Sequence, residues 1–291
     1  MDGPILITGS QGLIGRALRS ALAGRGTEVA GLDLRGSCGE AGDVREAKCI
    51  RDSVAGCHGI VHLAAVSRVV WAERDPQGCR DINVGGLRNV IQVAVESTRR
   101  PWLLFASSRE VYGQPDHLPV TEDAPLRPVN VYGRCKAEGE RLVEAARAGG
   151  LRAAVVRLSN VYGSPRDYPD RVVPAFARAA ARGSPLRVEG EGNVFDFTHL
   201  DDTVRGLVAL IELLSEGEAP PPIHLLTGRP TTLGRLAALA VELAGTEAPI
   251  VRAPARPFDV SREHQKLWGS SRSVWVREIR VGGLGTEGIW D

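Results

Sequence analysis

The chain has 291 residues, of which 43% are hydrophobic and 24% charged, and its formal net charge is +1. That length can bury a large core, as one α/β unit or as one with a smaller lobe. The near-zero charge argues against nucleic acid or an acidic membrane surface as a partner.

The first element is expected at Ile5-Leu-Ile-Thr8, a short apolar run that reads as a buried parallel strand. Gly9-Ser-Gln-Gly12-Leu-Ile-Gly15 follows, and Leu13 to Ala23 reads as a helix. Strand, Gly-rich turn and helix together form the context of a dinucleotide fingerprint, here spaced G-x-x-G-x-x-G. Gly9 permits the turn, Gly12 lets backbone approach a pyrophosphate, and Gly15 allows close packing of helix on strand. Gln11, Leu13 and Ile14 of the same turn are counted with the cofactor contacts. A second strand, Glu28 to Leu32, ends in Asp33. A carboxylate there accepts hydrogen bonds from the adenosine ribose hydroxyls and repels a 2′-phosphate, which predicts NAD over NADP. Arg35 lies close by.

Strand and helix patterns then alternate. Strands are expected at Gly59 to Leu63, Trp102 to Ala106 and Leu151 to Leu158. Helices are expected from Asp81 to Ser97 and from Tyr132 toward Ala148. The alternation predicts an α/β fold with a doubly wound parallel sheet, whose ligands bind beyond the carboxyl ends of the strands. Ala64, Ser108 and Asn160 fall just past strand ends and should face one crevice. Past Asn160 the chain is richer in Pro and less regular. Residues 1–160 are therefore expected to hold the dinucleotide. Residues 161–291 are expected to form mainly a smaller C-terminal substrate lobe, with some segments returning to the main sheet.

Tyr132 and Lys136 stand four apart, which on a helix puts phenol and ammonium on one face. A free phenol loses its proton near pH ~10, and a nearby cation is expected to lower that value toward neutrality. Lys48, Lys136 and Lys266 are the only lysines in a chain rich in arginine. The five cysteines, Cys38, Cys49, Cys57, Cys79 and Cys135, are odd in number and lack C-x-x-C spacing. They predict neither a disulfide framework nor a metal site, and reduced thiols in the cytoplasm are expected. The chain opens directly into a strand pattern, so no secretory signal is expected. No apolar run is long enough to span a bilayer.

From Ile5 to about Asp259 the chain resembles the extended short-chain dehydrogenase/reductases of the NAD-dependent sugar-nucleotide epimerase/dehydratase group. The matching pieces include the glycine turn, Gly42-Asp43-Val44, His62-Leu-Ala-Ala65, Asn83-Val-Gly and Ser107-Ser-Arg-Glu-Val-Tyr-Gly113. Tyr132-x-x-x-Lys136, Arg157-Leu-Ser-Asn-Val-Tyr-Gly163, Asp196 to Asp202 and Arg256-Pro-Phe-Asp259 complete the series. The resemblance implies a Rossmann-like fold, NAD as cofactor, a UDP-sugar substrate and a homodimer. It implies that Tyr132 is the base at a sugar hydroxyl, that Lys136 holds the nicotinamide ribose, and that Ser108 hydrogen-bonds the reacting oxygen. Asp43 and Val44 match adenine contacts, Leu63, Ala64 and Ala65 line the cofactor, and Asn83 supports that site. Asn160 and Arg256 match diphosphate ligands, Asp259 a partner of the nucleotide ribose, and the strand from Leu186 to Glu189, with Arg187, a nucleobase wall. Ser107 and Arg109 join Ser108 on the sugar side. The histidine and acids of the Asp196–Asp202 segment are expected to fix the lobe rather than bind metal.

Dehydratases of this family place Asp-Glu directly after the Ser/Thr, where the Asp protonates a leaving hydroxyl. Arg109-Glu110 stands there in this chain, so dehydration is disfavoured and a 4-epimerase is the reading with no missing part. Glu110 leaves a UDP-glucuronate decarboxylase open, and a keto-sugar reductase or a non-catalytic NAD-binding regulator are further alternatives. Family epimerases usually carry Arg directly before the Asp-aromatic pair, where this chain has Phe195. Arg171 or Arg187 is a candidate to replace that charge. Arg166 or Arg171, in the loop from Gly163, is a candidate ligand for a sugar carboxylate. That pairing would favour UDP-glucuronate and UDP-galacturonate over UDP-glucose.

Overall fold

A computed structural model describes residues 3–37, 39–115 and 120–258. Chain order begins with β1 (Ile5–Thr8), α1 (Leu13–Ala23), β2 (Val29–Leu32), α2 (Ala47–Val54) and β3 (Gly59–His62). Two short helices follow, α3 (Val69–Arg74) and α4 (Pro76–Arg80). A π-helical turn (Asp81–Gly85) then leads into α5 (Gly86–Glu96). β4 (Trp102–Ser108) ends in a 3₁₀ turn (Arg109–Tyr112), after which come α6 (Val131–Ala148), β5 (Ala153–Leu158) and β6 (Asn160–Tyr162). The remainder is α7 (Val172–Ala181), β7 (Leu186–Glu189), β8 (Val194–His199), α8 (Leu200–Glu216), β9 (Ile223–Leu225), β10 (Pro230–Thr232), α9 (Leu233–Ala244) and β11 (Ile250–Ala253).

Six strands make one parallel sheet in the order β2-β1-β3-β4-β5-β9. All four residues of β1 are buried, as a central parallel strand with both faces covered requires. Its side chains alternate. Ile5 and Ile7 join Leu18 and Leu22 of α1 and Leu207 and Leu214 of α8. Leu6 joins Ile50 of α2, Leu87 and Val90 of α5 and Val143 of α6. The doubly wound parallel sheet expected from the sequence is therefore present. Two elements that return to it, α8 and β9, come from the stretch after Asn160.

Much of the rest of that stretch packs around a core of its own. Phe176 and Ala180 of α7, Leu186 and Val188 of β7, and Leu233 and Ala237 of α9 share a separate core. β7 pairs in parallel with β11, and β8 lies between β6 and β10. Asp196 locks this region. Its carboxylate accepts the backbone N–H groups of Thr227 and Arg229 and the hydroxyls of Thr198 and Thr227, at 2.7–3.1 Å. Among the described residues no helix is long and apolar enough to cross a membrane.

Candidate active site

The first crevice opens at the carboxyl ends of β1, β2, β3 and β4 and encloses about 470 Å³, within the range of small-molecule sites. Gly9 has a φ of 72°, and a Cβ on it would lie 2.7 Å from the backbone nitrogen of Ala64. A Cβ on Gly15 would lie 2.3 Å from the carbonyl oxygen of Gly9. Glycine is thus required at both positions for α1 to start this close to the sheet. Gly12 caps α1 without a side-chain bond, and the first turn carries no acid. Its N–H groups are open to an anionic group such as a pyrophosphate.

Asp33 is buried at the end of β2, where its carboxylate accepts the N–H of Gln11 at 3.0 Å and of Arg35 at 2.8 Å. Gly9, Gly12, Leu13, Ile14, Gly15, Asp33, Asp43, Val44, Leu63, Ala64 and Ala65 all line the crevice. The hydrogen bond from Arg45 holds the Asp43 carboxyl below its ordinary range. Asn83 stands behind the wall, its amide accepting the N–H of Val66 at 2.8 Å and donating to the Val66 carbonyl at 3.1 Å. The π turn that carries Asn83 departs from the simple helix expected over 81–97 and points this amide at the loop after β3. These residues fit a dinucleotide: open N–H donors for phosphates, an acid for ribose hydroxyls, and apolar walls for the rings.

Tyr132 and Lys136 enter from the side on α6. Asn130 caps that helix, accepting the N–H of Gly133 at 2.7 Å, while Glu73 accepts the N–H of Val131 at 2.7 Å. A Cβ on Gly133 would lie 2.5 Å from the Glu110 carbonyl, so its absence lets the first turn of α6 settle onto the 3₁₀ turn. Ser108 hydrogen-bonds Tyr132. The ammonium of Lys136 donates to the Ala106 carbonyl at 2.7 Å and sits 4.9 Å from the Phe105 ring centroid and 5.8 Å from that of Tyr132.

The expected lowering of the phenol is not found in the protein alone. Burial pushes Tyr132 up to about 12, against a smaller opposing effect of the Ser108 hydrogen bond. Burial likewise brings Lys136 down to about 8. Desolvation outweighs attraction because Lys136 is buried, Tyr132 is half-buried in the crevice wall, and the ammonium is engaged by a backbone carbonyl rather than by the phenol.

A second cavity of about 320 Å³ adjoins the crevice. Arg109, Glu110, Asn160 and Arg171 line both, so the boundary lies beside Ser108 and Tyr132. Arg109 pairs with Glu110 at 2.6 Å and stacks 4.7 Å from the Phe195 ring centroid. Glu110 also accepts the amide of Asn130 at 2.7 Å. Phe195, Phe197, Phe176 and Phe258 supply apolar walls, and Arg187 and Arg256 also line the cavity. Arg187 is bonded to Glu189 at 3.0 Å.

Three expected substrate contacts fare differently. Arg166 is exposed on the loop after β6 and lines neither cavity. Ser107 borders the crevice, but its hydroxyl donates to Glu140 at 2.5 Å. Glu140 is in turn paired with buried Arg157 at 2.6 Å, and removing one partner of such a pair costs roughly 3–5 kcal/mol. Ser107 therefore braces β4 rather than presenting a free hydroxyl. Asp259 lies outside the described residues.

Residues 5–225 match the model of the NAD dependent epimerase/dehydratase family. The chain belongs to that family. It is 33% identical over 271 residues to a dTDP-glucose 4,6-dehydratase of Streptomyces griseus, covering 85% of this chain and 80% of that protein. It is 30% identical over 236 residues to UDP-glucuronate 4-epimerase 1 of Arabidopsis thaliana, covering 72% of this chain. Only 54% of the plant enzyme is spanned, about half its length. Among solved structures, the UDP-glucose 4-epimerase of Thermus thermophilus in complex with NAD superimposes with a TM-score of 0.78 at 27% identity. That match covers 89% of this chain and 88% of the other. As a member of the epimerase/dehydratase family, the protein is an enzyme and its cofactor is NAD.

Several residues of this family member escaped the sequence reading. Arg68 and Trp71, just past the exit of β3, border the cavities. So do Asp167 and Tyr168 on the loop after β6. The available signal was position alone, since chain leaving a parallel strand at its carboxyl end faces the ligand side. Asn130 did carry a signal, because Asn before a helical run is a common cap.

Proposed function

We propose that this enzyme is a 4-epimerase of nucleotide sugars that interconverts UDP-glucuronate and UDP-galacturonate through a 4-keto sugar. The observation that carries the reading is the placement of Tyr132, bonded to Ser108, where the cofactor crevice meets the second cavity. No carboxylic acid follows Ser108 directly. Bound NAD supplies the hydride acceptor and donor at the sugar carbon. Tyr132 takes the proton from the C4 hydroxyl and returns it, Ser108 orients that oxygen, and Lys136 holds the nicotinamide ribose. Arg109 cannot protonate a leaving hydroxyl, which disfavours dehydration. Both oxygens of Glu110 are engaged, by Arg109 and Asn130, which supports epimerisation over decarboxylation. In this reading residues 1–160 hold the cofactor. The later segments other than α8 and β9 hold the nucleotide sugar. The free thiols of Cys49, Cys57, Cys79 and Cys135 suit a cytoplasmic setting.

Arg171 supports the choice of a hexuronate. It lines both cavities, and its charge acts on Tyr132. Its partners are Ser67 at 3.1 Å and Asp167 at 3.4 Å. A charged hydrogen bond to a carboxylate is worth ~1.5–3 kcal/mol, more than a neutral hydroxymethyl group recovers. Arg171→Ala is therefore expected to lower kcat/KM for UDP-glucuronate about tenfold or more beyond its effect on UDP-glucose. Steady-state kinetics at saturating NAD make the comparison. Equal losses for the two sugars would assign Arg171 to the diphosphate they share.

A further inference from the structure

Two loops leave the carboxyl ends of β3 and β6 and meet where the crevice adjoins the second cavity. One follows β3 and contains Ser67 and Arg68, leading into α3 with Trp71. The other follows β6, spans residues 163–171 and leads into α7. Arg68 donates to both carboxylate oxygens of Asp170, at 2.5 and 2.9 Å, and to its carbonyl at 3.4 Å. The same guanidinium lies 5.3 Å from the ring centroid of Trp71 and 6.0 Å from that of Tyr168. Those two rings meet edge to face at 5.1 Å. Arg171 adds a bond to Ser67 at 3.1 Å.

An exposed ion pair alone contributes little, and Asp170 is 61% exposed. This pair differs in two respects. Arg68 itself is only 14% exposed, and its planar fork engages the carboxylate in bidentate fashion. Its face is also held by two aromatic rings that pack on each other. Trp71 and Tyr168 line the cofactor crevice, Arg68 and Asp170 line the second cavity, and Ser67 and Arg171 line both. The contacts therefore bridge the two loops where the cofactor crevice adjoins the second cavity.

We propose that Arg68 is a positioning residue that clasps the 163–171 loop to the loop after β3, so that NAD is retained through each turnover. Retention matters because epimerisation returns the cofactor to its starting state within one cycle. If reduced cofactor escaped, the 4-keto sugar would be stranded. The need for retention in catalysis rests on the proposed epimerisation, whereas the clasp itself rests on NAD binding alone.

The test reads NAD dissociation from the loaded full-length protein, without any sugar. A fluorescent etheno-NAD is bound and then displaced by excess NAD. Arg68→Asp is expected to raise the dissociation rate by about tenfold or more, a factor equivalent to ~1.4 kcal/mol. Combining it with Asp170→Arg restores the opposite charges and should bring the rate back toward that of the unmodified protein. Tyr168→Ala, which removes the aromatic half of the clasp, should also speed release and serves if Arg68→Asp does not fold. An unchanged rate in either single variant would overturn the proposal. So would fast release that the charge swap fails to correct. Because no sugar is present, failure of the epimerase reading would leave these results unaffected.

Discussion

Tyr132→Phe is expected to lower turnover by roughly 10²–10⁴-fold while leaving NAD bound, the usual range for loss of a positioned acid–base group. The ring remains in place, because the phenyl group keeps the packing around Val66 and Cys79. What disappears is the oxygen bonded to Ser108, the group proposed to take the C4 hydroxyl proton. Burial holds the phenol near 12 in the protein alone, so the proton must be drawn off by charge brought in on binding. Ser108 and the charge of Arg171 already favour the phenolate, and the cationic nicotinamide ring of bound NAD would add to them. Initial rates and an equilibrium titration with NAD separate the two effects. Near-normal turnover by the phenylalanine variant would exclude Tyr132 as the base.

Lys136→Met is expected to damage affinity and rate together. Met fills much of the same volume, but the bond to the Ala106 carbonyl is lost, and a buried unpartnered acceptor costs ~1–3 kcal/mol. In the proposed reading the nicotinamide ribose also loses its charged donor, and the cation 5.8 Å from the Tyr132 ring centroid is removed. Removal of one such electrostatic group typically lowers the rate by about 10²–10³-fold. The pH dependence gives an independent check. Burial brings Lys136 down to about 8, so its ammonium is lost as pH rises through that value. NAD affinity of the unmodified protein should fall over that range, and affinity of the methionine variant should be flat there. A drop in rate with NAD affinity unchanged at all pH values would restrict Lys136 to tuning the phenol.

What could be read in advance follows the range of the forces involved. The glycine turn, Asp33 and the Tyr132–Lys136 pair are set by local geometry: a turn that only glycine can make, a strand end, and one helical spacing. Each sits where the alternation of strands and helices predicts. The sugar side was harder because its residues are irregular loop. Arg166 and Arg171 share one loop, and no periodicity tells which guanidinium turns inward; Arg171 borders the cavities and Arg166 does not. The sequence places both Ser107 and Ser108 on the substrate side. Yet β4 runs through Ser108, and neighbours on a strand point to opposite faces. Ser107 accordingly turns to Glu140, 33 positions away in the chain, which Arg157 of β5 holds in place. The same dependence on distant partners hid Arg68 and Asp170, which are 102 residues apart in the chain. It also hid the shift of Tyr132, since spacing shows the cation beside the phenol but not the burial that opposes it.

In the proposed reaction one sugar hydroxyl is oxidised and re-reduced at the junction of the two cavities with no net consumption of NAD. Separate incubations of the protein with UDP-glucuronate and UDP-glucose, with NAD present and products followed by NMR, test it most directly. The predicted result is UDP-galacturonate formed from UDP-glucuronate, faster than any conversion of UDP-glucose, with the oxidised cofactor undiminished at equilibrium. UDP-xylose with release of carbon dioxide, a 6-deoxy or 5,6-unsaturated product, or stoichiometric accumulation of NADH would contradict it.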